Sequence, residues 1–319
     1  MKSSWKRVLQ VSLIALGVFF AARFSLRFPW KETGTAVVKT NIAILSVAIV
    51  VNLTSLVAKG WAWHLLLKPL ARNRWRSAQE ANWIGATVNC LSVSVAGEAA
   101  RVQQIVRRDE VPLSAAVVSV VGERAVEGIA LALFLLLTTS LIPMPHFLAG
   151  FRIGAAVLLA VVVALALLYR PRKLPGWLPS FIRTGLSSLA GIGKSKHIIG
   201  PLLLSLFNWL AQWMTFHLVL VATNSRPILA SSLVALLATN LAGFLRLTPS
   251  NIGIFQASMV MSLAPLGFTA TTALTASLVL QAIQVFPVIM IGLWLIGRRG
   301  LRKTIQESRR SRLPLSSTP

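Results

Sequence analysis

Acidic side chains are scarce in this chain. Eight Asp and Glu stand against 32 Lys and Arg, giving a net charge of +24 over 319 residues. Charged residues of both signs make up 13% of the chain and hydrophobic residues 55%, which excludes a large soluble domain. Cysteine occurs once, so Cys90 has no partner within the chain for a disulfide, and its apolar surroundings make it a small buried residue. The four histidines, His64, His146, His197 and His217, are isolated, with no second ligand at metal spacing. No glycine-rich phosphate loop, zinc signature or nucleophile elbow occurs either. No cofactor or metal is expected.

What remains is apolar runs near twenty residues long, the mark of a polytopic membrane protein. The excess of Lys and Arg raises the thought of nucleic acid, but these residues sit in short stretches between the apolar runs. That is the pattern of cytoplasmic loops, with attraction to anionic headgroups as a secondary effect. A first apolar helix is expected over about Val8–Ala22, uncleaved because Arg23 and Arg27 follow with no clean small-x-small site. A second span runs over about Asn41–Leu67 and ends in the interfacial residues Trp61, Trp63 and His64. The basic loop after it, Lys68 to Arg76, marks the cytoplasm.

The segment from about Ser77 to Val106 is too polar for an ordinary span. It carries Asn82, Thr87, Asn89, Ser92, Ser94, Glu98 and Arg101, breaks at Gly97, and is followed at once by Arg107 and Arg108. Two half-helices that enter and leave by the same face satisfy both facts, since broken backbone is tolerated where protein buries it or where it lines a polar cavity. A full span over about Leu113–Ile142 leads to the external loop Pro143–His146. Ile153–Tyr169 returns to a cytoplasmic loop over about 170–197, with room for a short amphipathic helix at Leu178–Leu189, and Ile198–Ala222 crosses outward. Leu229–Leu247, a break at Thr248–Gly253 and a continuation to Ala264 read as a second hairpin, followed by a span over about Thr271–Ile296. Asn89 precedes Gly97 by eight residues, and Asn240 precedes Thr248 by eight. Gly97 to Arg124 is 27 positions and Gly253 to Gln281 is 28. The expected fold is therefore all-α: one membrane domain over 1–300 with six full spans and two oppositely directed hairpins, inverted-repeat cores over about 77–142 and 229–297, and a basic tail over 301–319. A fully crossing Leu229–Leu247 would leave that tail outside, against the positive-inside rule. Both termini are placed in the cytoplasm.

Six of the eight acidic residues lie between Glu80 and Glu127, three of them in apolar sequence. An ionised side chain at a helix centre costs on the order of 3 kcal/mol on insertion scales, so such residues pair or face a cavity. Glu98 and Arg101 share a helix face by spacing, as do Arg124 and Glu127, and Glu123 and Glu127. The structural reading is a closed network that locks hairpin to span. The functional reading is a polar cleft in which Arg101, Arg124 and Arg246 hold a phosphate bidentately while Glu98, Glu123 and Glu127 balance them. Asn89, Asn240 and Asn251, beside the two breaks, complete the candidate headgroup set. Ser205, Asn208, Gln212, Gln281 and Gln284 read first as interhelical glue.

Asn89 followed by Gly97-Glu98-Ala99-Ala100-Arg101, then Ser114-Ala115, Glu123-Arg124, and Thr248-Pro249-Ser250-Asn251-Ile252-Gly253, resembles the lysylphosphatidylglycerol synthase transmembrane-region, or flippase-like, family over nearly the whole chain. The resemblance implies an inner-membrane protein of bacteria or archaea that moves or modifies polar lipids such as aminoacylated phosphatidylglycerol, hopanoids or lipid-linked glycans. Val93 stands where that family's pattern has proline, and Ser250-Asn251 where it has two glycines. Gln256 stands where a charge often follows. The soluble aminoacyl-transferase domain of the fused synthases is absent from these 319 residues, so synthesis of the lipid is not expected. The leading expectation is a non-enzymatic lipid translocator of the bacterial inner membrane, with anionic membrane lipids as partners and no nucleic acid. The alternative is a non-transporting protein that presents a lipid to a separate modifying enzyme. A membrane-embedded transferase using Glu98 or Glu123 as base is the weakest of the three. The topology predicts that cysteines placed at Ser187 and Ser308 label only from the cytoplasm, while those at Ser94 and Thr248 sit at membrane depth. Labelling of position 308 from the far side overturns the opposed hairpins.

Overall fold

The computed structural model describes residues 30–92, 96–142, 149–168, 195–223, 225–244 and 248–311. Among them are ten α-helices and no strand: α1 (Trp30–Val38), α2 (Ile42–Leu67), α3 (Trp75–Leu91), α4 (Ala96–Asp109), α5 (Leu113–Leu141), α6 (Ala149–Leu168), α7 (Ser195–Ala222), α8 (Leu229–Gly243), α9 (Ile254–Leu263) and α10 (Ala270–Ser311). The first helix expected over Val8–Ala22, the loop Pro143–His146, the amphipathic segment Leu178–Leu189 and Arg246 lie outside the described residues. Three described helices are long and apolar enough to cross a membrane: Ile42–Leu67, His197–Ala222 and Ala270–Arg298. At 26 residues α2 is about 39 Å long, ample for a hydrocarbon layer of about 30 Å.

The pair α2 and α7 forms the most extensive helix contact and acts as the spine. Around it, one apolar cluster gathers Phe134 and Leu135 of α5, Trp213 and Phe216 of α7, Leu233 and Leu236 of α8, Met259 of α9 and Leu280 of α10. A second joins Trp63 and Leu67 of α2 to Ala78 and Ala81 of α3, Ile105 of α4, and Ala115 and Ala116 of α5. The two helical pairs expected from the sequence are present. Helices α3 and α4 pack on each other, and so do α8 and α9.

The first pair differs from expectation at its break. Helix α3 ends at Leu91 with Ser92 in extended geometry, and α4 begins at Ala96, so Gly97 lies in the first turn of the second arm. Its lack of a side chain serves close approach: a Cβ on Gly97 would lie 2.2 Å from the Gly85 carbonyl oxygen and 2.3 Å from Asn89 Cγ. The Gly97 N–H donates to Asn89 Oδ1 at 2.9 Å, which satisfies one of the orphan donors at the start of α4. At the open end of the pair, Asp109 accepts from the Arg74 backbone N–H at 2.7 Å and from Ser77 Oγ at 2.8 Å.

Three polar side chains of α3 go to its neighbours' backbones. Gln79 donates to the Val57 carbonyl at 2.6 Å and Asn82 to the Leu56 carbonyl at 3.1 Å, both on α2. Thr87 donates to the Val288 carbonyl of α10 at 2.9 Å, where Gly292 lets the helices meet. Pro287 explains another such bond. Having no N–H, it leaves the Ile283 carbonyl one turn earlier without its helical donor, and Asn52 of α2 supplies one at 3.3 Å.

In the second pair, α8 stops at Gly243, earlier than the Leu247 expected. The break holds a 3₁₀ turn at Pro249–Asn251, with positive φ at Ser250 (φ 52°), Asn251 (φ 54°) and Gly253 (φ 88°). Such geometry is uncommon for residues with a Cβ and persists where surroundings fix it. Here Gln281 Nε2 donates to the Ser250 carbonyl at 2.7 Å, and the Gly253 N–H donates to Gln256 Oε1 at 2.7 Å. Helix α10 then runs to Ser311, past the end of the last span expected at about Ile296.

The break of the second pair touches the end of α3. Ser250 Oγ donates to the Cys90 carbonyl at 2.8 Å. Because Cys90 is the sole cysteine, Ser250→Cys is expected to form an intramolecular disulfide under mild oxidation. Mass spectrometry of the linked peptides checks it, and a Ser258→Cys control is expected to remain unlinked.

Candidate functional site

Helix α3 carries Asn82 and Asn89, α4 carries Glu98 and Arg101, and α5 carries Glu123, Arg124 and Glu127. Packing α4 across α5 brings all seven together. Glu98 and Arg101, which share a face of α4 by spacing, both pair across to α5, while Arg124 and Glu127 pair along α5 as their spacing suggests. Arg101 reaches Glu123 with both terminal nitrogens, Nη1 at 3.3 Å from Oε1 and Nη2 bonded to Oε2. The two side chains are only 4% and 1% exposed. Arg101 Nη1 also donates to Asn82 Oδ1 at 3.3 Å, and the guanidinium lies over the Trp63 ring with 4.5 Å to its centroid. Trp63 is held in turn by an indole N–H bond to Ser119 Oγ at 2.9 Å.

The second cation is held otherwise. Arg124 Nη2 donates to Glu98 Oε1 at 2.5 Å and Nη1 to Glu127 Oε2 at 2.9 Å, yet its side chain is 46% exposed. Each carboxylate uses its other oxygen elsewhere. Glu98 Oε2 accepts from Asn89 Nδ2 at 3.2 Å, and Glu127 Oε1 pairs with Lys59 Nζ at 2.6 Å. Trp209 of α7 donates its indole N–H to the Glu127 carbonyl at 3.2 Å, which ties the spine helix to this turn of α5.

Lys59 is the member that the sequence reading missed. It is the sole Lys or Arg between Asn41 and Leu67, and a lone cation inside an apolar run is a signal of a paired or functional site. With it the cluster holds three cations, Lys59, Arg101 and Arg124, against three anions, Glu98, Glu123 and Glu127. Asn82, outside the expected headgroup set, and Trp63, expected at the interface but fully buried beside the guanidinium, support Arg101.

Of the remaining candidates, Asn240 bonds within its own helix, Nδ2 donating to the Leu236 carbonyl at 2.8 Å. Asn251 Nδ2 approaches the Gly243 carbonyl at 3.5 Å across the break. Neither reaches the charged cluster. The second pair has its own polar join, in which Gln256 of α9 bonds to Gln281 of α10. In each half, a side chain from the first turn of the second arm binds the following long helix: Glu98 to Arg124 and Gln256 to Gln281. The expected glue role of Gln281 is therefore met.

Apolar helices around an enclosed, charge-balanced polar cluster define an α-helical integral membrane protein. The chain matches the family described as the lysylphosphatidylglycerol synthase TM region over residues 7–292 and belongs to it. That family is a membrane domain associated with lipid-related functions. No curated protein matches the chain.

The two arginines separate by burial, and with it by consequence. Arg101→Ala leaves Glu123 charged in a dry site and is expected to destabilise the fold by about 3–5 kcal/mol, seen as loss of monodisperse protein in detergent. Arg124→Ala leaves Glu127 with Lys59 and Glu98 with Asn89, so its loss of stability is expected to be at most about half as large. Equal losses in thermal midpoint refute this division.

Proposed function

We propose that this protein is a lipid translocator: the polar headgroup crosses along the charged face of the first hairpin while the hydrophobic tail stays in the bilayer. The observation that carries the reading is Arg124. It is the twelfth of the 29 residues of α5, far from either helix end, and it is the one member of the cluster with nearly half its side chain accessible. A guanidinium matches phosphate bidentately, and an exposed cation at such depth has a use for an anionic headgroup.

The architecture supports the same reading. Two helical pairs meet where Ser250 touches the end of α3, as hairpins inserted from opposite faces would. The matched joins Glu98–Arg124 and Gln256–Gln281 fit an inverted repeat, the design in which secondary transporters place a site between halves near the midplane. In this scheme six full spans accompany the two hairpins, and both termini face the cytoplasm of a bacterial inner membrane. In this scheme the cluster holds an ionic headgroup and the protein acts without catalysing a chemical step.

The test is translocation of a fluorescent phosphatidylglycerol in proteoliposomes, read by quenching from the outside. Wild type is expected to make the inner-leaflet probe accessible, and Arg124→Gln to slow this roughly tenfold or more, the loss of one charge-assisted contact of about 1.5–3 kcal/mol. Retention of the lipid with no translocation by the wild type replaces this reading with that of a protein that presents lipid to a modifying enzyme.

A further inference from the structure

We propose that Lys59 is the positioning residue that releases Arg124 to a lipid phosphate, a role resting on the headgroup reading of Arg124 above. Arg124 is shared by two carboxylates, and for an anionic group to take it they must give it up. A carboxylate left without a partner in a membrane interior is costly, so the exchange is feasible where each already has a second partner. The cluster has this arrangement. Glu98 places one oxygen on Arg124 and the other on Asn89, and Glu127 places one on Arg124 and the other on Lys59. The Lys59 ammonium is the stronger of the two second partners, a full charge at 2.6 Å against a neutral amide at 3.2 Å.

Lys59 is also placed to stay. It comes from α2, a spine helix outside the hairpin, and its side chain is 24% exposed against 46% for Arg124. The Trp209 indole bond to the Glu127 carbonyl fixes the acceptor's backbone. When phosphate takes Nη1 and Nη2 of Arg124, Glu127 falls back on Lys59 and Glu98 on Asn89, with no charge left bare. The Arg101–Glu123 pair, engaged through both guanidinium terminal nitrogens and almost fully buried, takes no part in the exchange.

The consequence is a pattern of variants that a plain structural lysine does not give. In Lys59→Met, Glu127 depends on Arg124 alone, so the protein folds but holds Arg124 back. Phosphatidylglycerol titrated into detergent micelles and read by native mass spectrometry is expected to bind about tenfold more weakly, with little change in thermal midpoint. Lys59→Arg is expected to rescue binding. The double variant Lys59→Met with Glu127→Gln removes both charges and frees Arg124 again, so it is expected to recover most of the loss. If the double variant binds as weakly as Lys59→Met, Lys59 touches the headgroup itself and the exchange is refuted. If Lys59→Met binds like wild type while Arg124→Gln does not, the exchange fails and the headgroup site stands. If Arg124→Gln retains wild-type binding, it is the headgroup site that fails.

Discussion

The pairing of Arg101 with Glu123 is the constraint on which the first half of this structure depends. Two opposite charges, 4% and 1% exposed, tie α4 to α5 from inside. A buried ion pair is weak evidence for net stability, because desolvation offsets much of the attraction. What it does strongly is to specify register. A slip of α4 by one residue along α5 would leave both charges unpaired in a medium without water to receive them, so one packing is favoured over its neighbours. Trp63, Asn82 and Ser119 follow from the same demand, for each holds the guanidinium or holds what holds it.

Backbone accounting governs the rest. In a membrane interior an unbonded carbonyl has no solvent to turn to, and several of the described irregularities are met by a side chain from another helix. Asn52 answers the carbonyl that Pro287 leaves free, Gln281 takes the Ser250 carbonyl at the second break, and Asn89 accepts from the first turn of α4. Gly97 and Gly292 are small for the same reason, since the side chains that make these bonds require backbones nearly in contact.

Composition and apolar runs made the helical membrane class legible, and the polar, glycine-containing segments marked both helical pairs. The spacing of acidic residues pointed to the right turns of α4 and α5. It gave the Arg124–Glu127 pair but not the partners of Glu98, Arg101 and Glu123, because spacing of three or four residues shows which side chains can meet along one helix and carries no information on which helix crosses it. Lys59 was obscured differently. Its neighbours are uniformly apolar, and its counter-charge, Glu127, lies 68 positions later on another element. The break at Gly97 was misplaced by a few residues because glycine signals both helix interruption and close packing, and here packing decides.

The two halves answer one geometric need with different chemistry. At the first, the join between helical pair and long helix is ionic, Glu98 with Arg124; at the second it is a pair of amides, Gln256 with Gln281. An amide pair holds its geometry without presenting net charge, and it braces a break whose backbone is already confined at Ser250 and Asn251. An ionic join can instead trade one anion for another, provided that the displaced carboxylate keeps a second partner, and in this protein both carboxylates around Arg124 do. The ionic join is thus the one suited to the exchange proposed for Arg124, and the amide join is a brace, with the Ser250–Cys90 contact between the two pairs.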